Sequence, residues 1–302
     1  MPFAGRDVIH VEDFSKADVI ALLNQASSYC TSHPPLLLQG KILASLFFEP
    51  STRTRLSFEA AMKRLGGSVV GFSDWQDTSI QKGEDLQDTI KVIEGYSDVI
   101  VIRHPENGSA QVAADIASVP VINGGDGSNQ HPTQTFVDLF TIFRNHHSLD
   151  GFSIGFLGDL KYGRTVHSLV KALSNFDVDF YFISPTEFSL PQEIFHATQS
   201  EHVCVETNDL YEVAKKLDFL YATRIQKERF LTEDDFKKVK HYQLDKTFLT
   251  HAKENIKIMH PLPRVGELHH DLDGSAHALY FQQAHNGIPV RMALLSLVLG
   301  KA

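Results

Sequence analysis

Residues 42–65, ILASLFFEPSTRTRLSFEAAMKRL, decide the fold of this chain because a strand-like pattern is followed in them by a helical one. The run from Ile42 to Phe48 is apolar except for Ser45, as in a parallel strand that is covered on both faces. From Phe58 to Leu65 apolar residues recur three and four positions apart, which predicts an amphipathic helix. A strand, a polar turn and a helix in this order form the repeating unit of α/β proteins.

The same alternation recurs along the whole chain and predicts an α/β fold with mostly parallel sheets. The sequence Ser15-Lys16-Ala17-Asp18 resembles a capping box ahead of the first helical stripe. Further apolar runs predict strands at 99–102, 119–122, 152–157, 178–183, 219–221 and 256–259. Further periodic segments predict helices at 19–26, 136–143, 166–173 and 291–299.

A length of 302 residues favours two domains, because a single hydrophobic core rarely grows that large. We predict two doubly wound domains, each a mostly parallel sheet flanked by helices, with the active site in the cleft between them. The predicted bounds are 1–145, with a C-terminal helix at 286–302 packing back on this domain, and 146–285.

Composition excludes several classes of protein. With 28 Lys+Arg against 37 Asp+Glu the net charge is −9, which argues against a nucleic-acid or anionic-membrane binder. Cys30 and Cys204 are too few and too isolated for a disulfide framework or a zinc site. We expect a cytoplasmic protein, because no signal-peptide pattern and no apolar run of about 18 residues occurs.

Polar motifs follow six of the predicted strands, where open α/β sheets bind ligands. Ser51-Thr52-Arg53-Thr54-Arg55 opens a predicted helix, and its hydroxyls and guanidiniums fit a phosphate-like anion. The alternative interpretation is a helix N-cap, which needs only one such hydroxyl. The other motifs are Arg103-His104-Pro105, Gly124–Gln134, Gly158–Arg164, Thr223–Gln226 and His260–Arg264.

Each of these other motifs also has an ordinary explanation. Arg103, Arg164 and Arg224 could each be a surface arginine, but together they favour a polyanionic substrate. His131-Pro132-Thr133-Gln134 could polarise a carbonyl and read an amide, or be only a turn before a helix. The segment 260–264 could contain a cis X–Pro bond or be a rigid loop. The acids and histidines at 269–277 match no zinc spacing, so we predict no metal.

Taken together, these motifs resemble the aspartate and ornithine carbamoyltransferase family. The resemblance is carried by Phe48–Arg55 with Ser57-Phe58-Glu59 and by His131–Gln134. It extends towards the aspartate members through Gly158–Leu169, Thr223–Arg229 and His260–Arg264, where Pro261 stands at a segment that usually holds Cys in ornithine enzymes.

The resemblance implies a transfer of the carbamoyl group of carbamoyl phosphate to the α-amino group of L-aspartate, an early step of pyrimidine biosynthesis, without a cofactor. The first domain is then the carbamoyl-phosphate-binding domain and the second the aspartate-binding domain. The residues implied for carbamoyl phosphate are Ser51, Thr52, Arg53, Thr54, Arg103, His131, Gln134, Pro261 and Leu262, of which Arg53, Thr54, Arg103 and His131 are catalytic. The residues implied for aspartate are Arg164, Arg224, Gln226 and Lys82.

The resemblance also implies a homotrimer with shared active sites, in which a neighbouring subunit supplies Ser79 and Lys82, and it leaves open whether separate regulatory chains bind. Two rival functions remain at this point. One is a carbamoyltransferase for another amino acceptor, although the predicted pair Arg164 and Arg224 favours a dicarboxylate over ornithine. The other is an inactive homologue that only binds anions.

Overall fold

The computed structural model describes residues 3–31, 34–198, 203–224 and 242–302. By its internal contacts the chain divides into two compact units, Met1–Phe140 with His285–Ala302, and Thr141–Ala284. Each unit contains a parallel sheet with helices between its strands, so the predicted α/β class is confirmed.

In the first unit, the described residues form a four-stranded sheet in the order β2-β1-β3-β4. All three strand pairs are parallel. The chain builds outward in one direction from β1 to β2 and in the other from β1 to β3. The carboxyl ends of β1 and β3 therefore flank a topological switch point, where α/β sheets bind ligands. The strands are β1 (Ile42–Phe47), β2 (Ser68–Phe72), β3 (Val99–His104) and β4 (Val121–Asp126).

The helices of the first unit cover this sheet. Ile90 and Ala113 come from two of these helices and pack with Ala44 and Ile100 of the strands in one buried cluster. The predicted capping box is confirmed, because Ser15 N–H donates to Asp18 Oδ2 (3.0 Å) and Asp18 N–H donates to Ser15 Oγ (3.2 Å). The helices are α1 (Lys16–Thr31), α2 (Arg53–Arg64), α3 (Leu86–Glu94), α4 (Ser109–Ile116) and α5 (Pro132–His146), the last of which runs on into the second unit.

In the second unit, the described strands are again all parallel, in the order β7-β6-β5-β8-β9. Its switch point lies between β5 and β8. The strands are β5 (Phe152–Leu157), β6 (Val178–Ile183), β7 (Cys204–Thr207), β8 (Phe219–Ala222) and β9 (Lys257–Met259). The helices are α6 (Arg164–Leu173), α7 (Gln192–Thr198), α8 (Leu210–Val213), α9 (Lys246–Leu249) and α10 (Tyr280–Val298), whose residues from His285 onward belong to the first unit.

Several predicted elements differ from the structure in extent. The strand predicted at 119–122 runs instead from Val121 to Asp126, because Pro120 has no N–H to give to a sheet ladder. The helix predicted at 291–299 begins already at Tyr280 and contains Pro289 in its interior. No helix within the described segments is long and apolar enough to cross a membrane.

Candidate functional site

Two arginines from neighbouring strand ends lie at the switch point of the first unit. Arg53 is the first residue of α2, which follows β1, and Arg103 lies near the end of β3. Desolvation lowers the pKa of the Arg53 guanidinium, and the positive charge of Arg103 lowers it further. The two guanidiniums are therefore close enough to repel each other, and an anion bound beside them would relieve that repulsion.

The hydroxyl groups before α2 do not act as a conventional cap. Thr52 occupies the N-cap position, yet its side chain accepts no capping hydrogen bond within the part of the chain that the structure describes. Ser51 is half-buried and Thr54 is buried. The first N–H groups of a helix have no intrahelical acceptors, so this turn offers backbone and hydroxyl donors to an anion.

Arg103 is held in place by two groups. Its Nε lies 3.1 Å from Glu49 Oε2, and its Nη1 donates to the Gly124 carbonyl oxygen at 3.3 Å. Burial lowers the pKa of Arg103, while the charge of Glu49 acts in the opposite direction. Glu49 had no predicted role. A carboxylate within a motif made otherwise of hydroxyls and cations was the signal that could have identified this partner.

His131 and Gln134 lie at the start of α5. The His131 ring is buried, and its Nε2 lies 3.4 Å from Thr54 Oγ1. The Gln134 side chain donates to Asp138 Oδ1 at 2.7 Å. The first unit thus brings together the starts of α2 and α5, as a site that holds one anion and polarises one oxygen requires.

Arg55, the second arginine of the motif Ser51–Arg55, is engaged in an ion pair within its own helix. Arg55 forms an ion pair with Glu59 one turn later in α2, with 2.9 Å between Nη1 and Oε1. Of the two arginines in that motif, only Arg53 therefore remains in the anion site.

Arg164 and Arg224 occupy corresponding places at the switch point of the second unit. Arg164 is the first residue of α6, which follows β5, and Arg224 comes two residues after β8. Both are half-buried. Gly158 lets the two loops meet, because a Cβ at this residue, whose φ is +118°, would lie 2.3 Å from the Thr223 carbonyl oxygen. This close approach holds the two arginine-bearing loops against each other.

The loop before α6 is fixed from inside. Asp159 is buried and accepts a hydrogen bond from Tyr162 N–H at 2.9 Å. His167 Nε2 lies 2.7 Å from the Leu160 carbonyl oxygen, and burial lowers the pKa of its imidazole. A neutral ring that donates from Nε2 fits this contact. The start of α6, with Arg164, therefore rests on a rigid turn.

His260 fixes the segment that follows β9. Its Nδ1 accepts from Leu262 N–H at 2.8 Å, and its Nε2 lies 2.8 Å from Glu267 Oε1. Burial raises the pKa of Glu267, but hydrogen bonds from His260 and from backbone groups outweigh burial and hold that pKa below its usual value. The peptide bond between Leu262 and Pro263 is cis. Pro261 and Leu262 are both half-buried.

The acids and histidines at 269–277 serve structural purposes. Arg264 forms an ion pair with Asp273, which also accepts hydrogen bonds from Tyr280 and pairs with His270. His269 accepts a capping hydrogen bond from Asp271 N–H. The described residues contain no group of three or more such side chains that could hold a metal ion.

Two residues predicted to act in a neighbouring subunit's site lie apart from these clusters. Ser79 and Lys82 are exposed on a short 3-10 helix, Ser79–Lys82. Gln226 falls outside the described residues, which stop at Arg224 and resume at Tyr242.

A fold of two parallel α/β units, each with arginines at its switch point, defines a protein that binds small anions. Two family profiles match the chain in turn. Residues 6–144 match the carbamoyl-P binding domain of aspartate/ornithine carbamoyltransferases, and residues 150–298 match the Asp/Orn binding domain of the same enzymes. The chain belongs to the aspartate/ornithine carbamoyltransferase family.

Individual relatives give the same result. The aspartate carbamoyltransferase catalytic subunit of Thermococcus gammatolerans is 56% identical over 306 residues, covering 99% of both chains. The solved catalytic subunit of M. jannaschii aspartate transcarbamoylase is 49% identical, with a TM-score of 0.90 over 97% of both chains. The Trypanosoma cruzi aspartate transcarbamoylase, solved with carbamoyl phosphate and aspartate, is 40% identical, with a TM-score of 0.91 over 99% of this chain and 96% of that one.

Proposed function

We propose that this chain is an aspartate carbamoyltransferase, which transfers the carbamoyl group of carbamoyl phosphate to the α-amino group of L-aspartate. The products are N-carbamoyl-L-aspartate and phosphate, and the reaction serves pyrimidine biosynthesis. The observation that carries the proposal is the placement of Arg53 and Arg103 at one switch point, beside the buried contact between Thr54 and His131. Burial lowers the pKa of Arg53, and the charge of Arg103 lowers it further.

In the first unit, we assign the phosphate to the start of α2. The hydroxyls and N–H groups of the first turn, together with Arg53, supply donors to its oxygens. Thr54, Arg103 and His131 face the carbonyl oxygen, and Gln134 reads the carbamoyl NH₂. We also assign the carbonyl groups of Pro261 and Leu262, which belong to the second unit, as acceptors for the same NH₂ and for the incoming amine. The residues assigned to the phosphate are Ser51, Thr52, Arg53 and Thr54.

The chemistry is the addition of an amine to an activated acyl donor. The aspartate nitrogen forms a bond to the carbonyl carbon, and the negative charge that develops on the oxygen is stabilised by Thr54, Arg103 and His131. The bond from the carbonyl carbon to the phosphate oxygen then breaks. The amine proton leaves with the departing phosphate, so no side chain of the enzyme need act as the base.

In the second unit, we assign the two carboxylates of aspartate to Arg164 and Arg224, together with Gln226. Two guanidiniums at one switch point suit a dicarboxylate, because each can donate two parallel hydrogen bonds to a carboxylate. The same pair opposes the cationic side chain of ornithine, which needs a carboxylate or carbonyl partner instead.

The decisive experiment measures product formation with carbamoyl phosphate and a panel of acceptors that includes L-aspartate and ornithine. We expect carbamoyl-aspartate to form and citrulline not to form. Arg53→Met should lower kcat by about 10²- to 10³-fold, the scale on which the loss of one donor to a charged group in the transition state acts. Arg64→Met is the matched control, because Arg64 is an exposed arginine at the other end of α2. Equal activity in the two variants would contradict the assignment.

We further propose a homotrimer in which Ser79 and Lys82 act in a neighbouring subunit's site. Both residues are exposed in this chain, which suits a role toward another copy. Mixing inactive Lys82→Met chains with inactive Arg53→Met chains should restore activity if the sites are shared, since mixed trimers would contain some intact sites. If the mixture is no more active than the two variants measured separately, shared sites are refuted. Whether separate regulatory chains bind can be tested by measuring the size of the protein with and without candidate chains. The cytoplasmic location stays a prediction.

A further inference from the structure

Arg291 is a buried arginine for which the proposed reaction has no use. It lies in the part of α10 that belongs to the first unit and is only 3% exposed. Burial lowers its pKa to about 10, so the guanidinium is still charged at neutral pH, and the charge of Asp138 opposes that lowering. A buried charge is costly unless it is paired and hydrogen-bonded, so its neighbours indicate its purpose.

The guanidinium contacts both helices that carry the anion site. Its Nη2 donates to Thr133 Oγ1 on α5 at 3.5 Å, and its central carbon lies 5.0 Å from the centre of the Phe58 ring on α2. Its Nη1 donates to the Gly287 carbonyl oxygen at 3.2 Å. One charged group thus sets the spacing of the two helices that begin at Arg53 and next to His131.

The chain leaves space for this guanidinium at Gly287. A Cβ at Gly287 would lie 2.4 Å from Arg291 Nη1 and 3.9 Å from Ser57 Cβ on α2. Any side chain at this position would therefore push the guanidinium from its place. The absence of a side chain here is consistent with a fixed position for Arg291.

The contact with Thr133 leads directly to His131. Thr133 Oγ1 lies 3.5 Å from His131 Nδ1, while His131 Nε2 lies 3.4 Å from Thr54 Oγ1. Arginine can only donate hydrogen bonds, so Thr133 accepts from Arg291 and has its own O–H left to donate. A Thr133 O–H that donates to His131 Nδ1 places the ring proton of a neutral imidazole on Nε2.

We propose that Arg291 is a positioning residue: through the Thr133 hydroxyl it fixes His131 in the tautomer that presents Nε2–H to the anion site. This inference rests on the proposed function, in which His131 donates to the carbonyl oxygen of the substrate. A ring in the other tautomer would turn a lone pair toward that oxygen and could not stabilise its developing charge.

The chain offers a matched pair of substitutions that tests the step through Thr133. Thr133→Val and Thr135→Val each remove one threonine hydroxyl from a fully buried position of α5. The Thr135 hydroxyl has no hydrogen-bond partner among the described residues, so its loss disturbs no such contact. Thr133→Val should lower kcat by about 3- to 10-fold with little change in the KM for aspartate, Thr135→Val should stay within about 2-fold, and Thr133→Ser should restore the rate.

Nitrogen-15 NMR of the His131 ring supplies a readout that needs no activity. We expect a protonated Nε2 and an unprotonated Nδ1 in the wild type and in Thr135→Val, and a mixture of tautomers in Thr133→Val. Arg291→Lys keeps the charge but not the fork of donors, and it should give the same mixture while retaining affinity for inorganic phosphate.

Each result has a definite meaning. Equal rates in Thr133→Val and Thr135→Val, or an Nδ1–H ring in the wild type, would overturn the inference while leaving the proposed function intact. A wild-type chain that forms no carbamoyl-aspartate but shows the expected tautomer would instead overturn the proposed function.

Discussion

Substituting Gly158 by alanine should damage the second unit in a specific way. Gly158 follows β5 directly and has a φ of +118°, a conformation that L side chains rarely adopt. The added Cβ would lie 2.3 Å from the carbonyl oxygen of Thr223, the residue just before Arg224. This oxygen belongs to the backbone, so it cannot turn away as the end of a long side chain can.

The cost follows from two separate contributions. Forcing a non-glycine residue into this region of φ costs about 1–3 kcal/mol. Overpacking against a fixed backbone costs about 1–3 kcal/mol more. The free energy of unfolding of Gly158→Ala should therefore fall by roughly 2–6 kcal/mol, much of it through displacement of the loops that carry Arg164 and Arg224.

Gly151→Ala provides the control for the conformational contribution. Gly151 also belongs to the second unit and has a φ of +81°, but an added Cβ meets no atom within 4 Å. Urea unfolding should show a loss of only about 1–2 kcal/mol for Gly151→Ala. In steady-state assays, Gly158→Ala should raise the KM for aspartate by about 10-fold, while calorimetry should show unchanged binding of inorganic phosphate.

Two results would refute this reasoning. One is an equal loss of stability in the two alanine variants, which would mean that the contact with Thr223 is relieved without cost. The other is a loss of phosphate affinity in Gly158→Ala as large as the change in aspartate KM, because the phosphate residues lie in the first unit.

Three further predictions concern single side chains. Arg164→Met should raise the KM for aspartate by about 10- to 100-fold, the value of one charge-assisted contact, and an unchanged KM in steady-state assays would exclude Arg164 from the substrate site. Asp98 accepts hydrogen bonds from Lys41 Nζ at 2.6 Å and from Ile42 N–H at 2.8 Å. Burial raises the pKa of Asp98, but these two hydrogen bonds outweigh burial and hold that pKa below 3.8. Its stabilising effect is therefore present above pH 3.8 and lost as pH falls through the folded-state value. In urea, Asp98→Asn should be less stable than wild type at pH 7, and the difference should shrink as pH falls below 3.8. Glu267→Gln should weaken the hold of His260 on Leu262 and lower the unfolding free energy by about 1–3 kcal/mol, whereas an unchanged urea midpoint would show that the contact at 2.8 Å is dispensable.

The sequence predicted those elements whose pattern repeats several times. β1 and α2 were predicted nearly to the residue, because an almost entirely apolar run at 42–48 is followed by a clear helical stripe from Phe58 to Leu65. The strands β2 and β7 were missed. Both lie at sheet edges and are at most half-buried, so their residues carry no unbroken apolar run.

The polar residues of the site were predicted through their motifs, but their partners were not. Glu49 and Arg103 are distant in sequence, and so are Thr133 and Arg291, which lie 158 positions apart. No local period links such pairs, since only the folded sheet and helices bring them together. Arg291 was predicted only as part of a C-terminal helix, with no contact assigned to its side chain.

The order of the two units along the chain has a consequence for biosynthesis. The first unit consists of the residues up to Phe140 together with His285–Ala302, so the ribosome makes one part of it before the second unit and the other part after it. When Ala284 has been added, every residue of the second unit exists, but the first unit still lacks Arg291 and the Ser296 hydroxyl that accepts from Tyr29. A nascent chain can therefore fold its second unit before its anion site acquires the guanidinium that braces it.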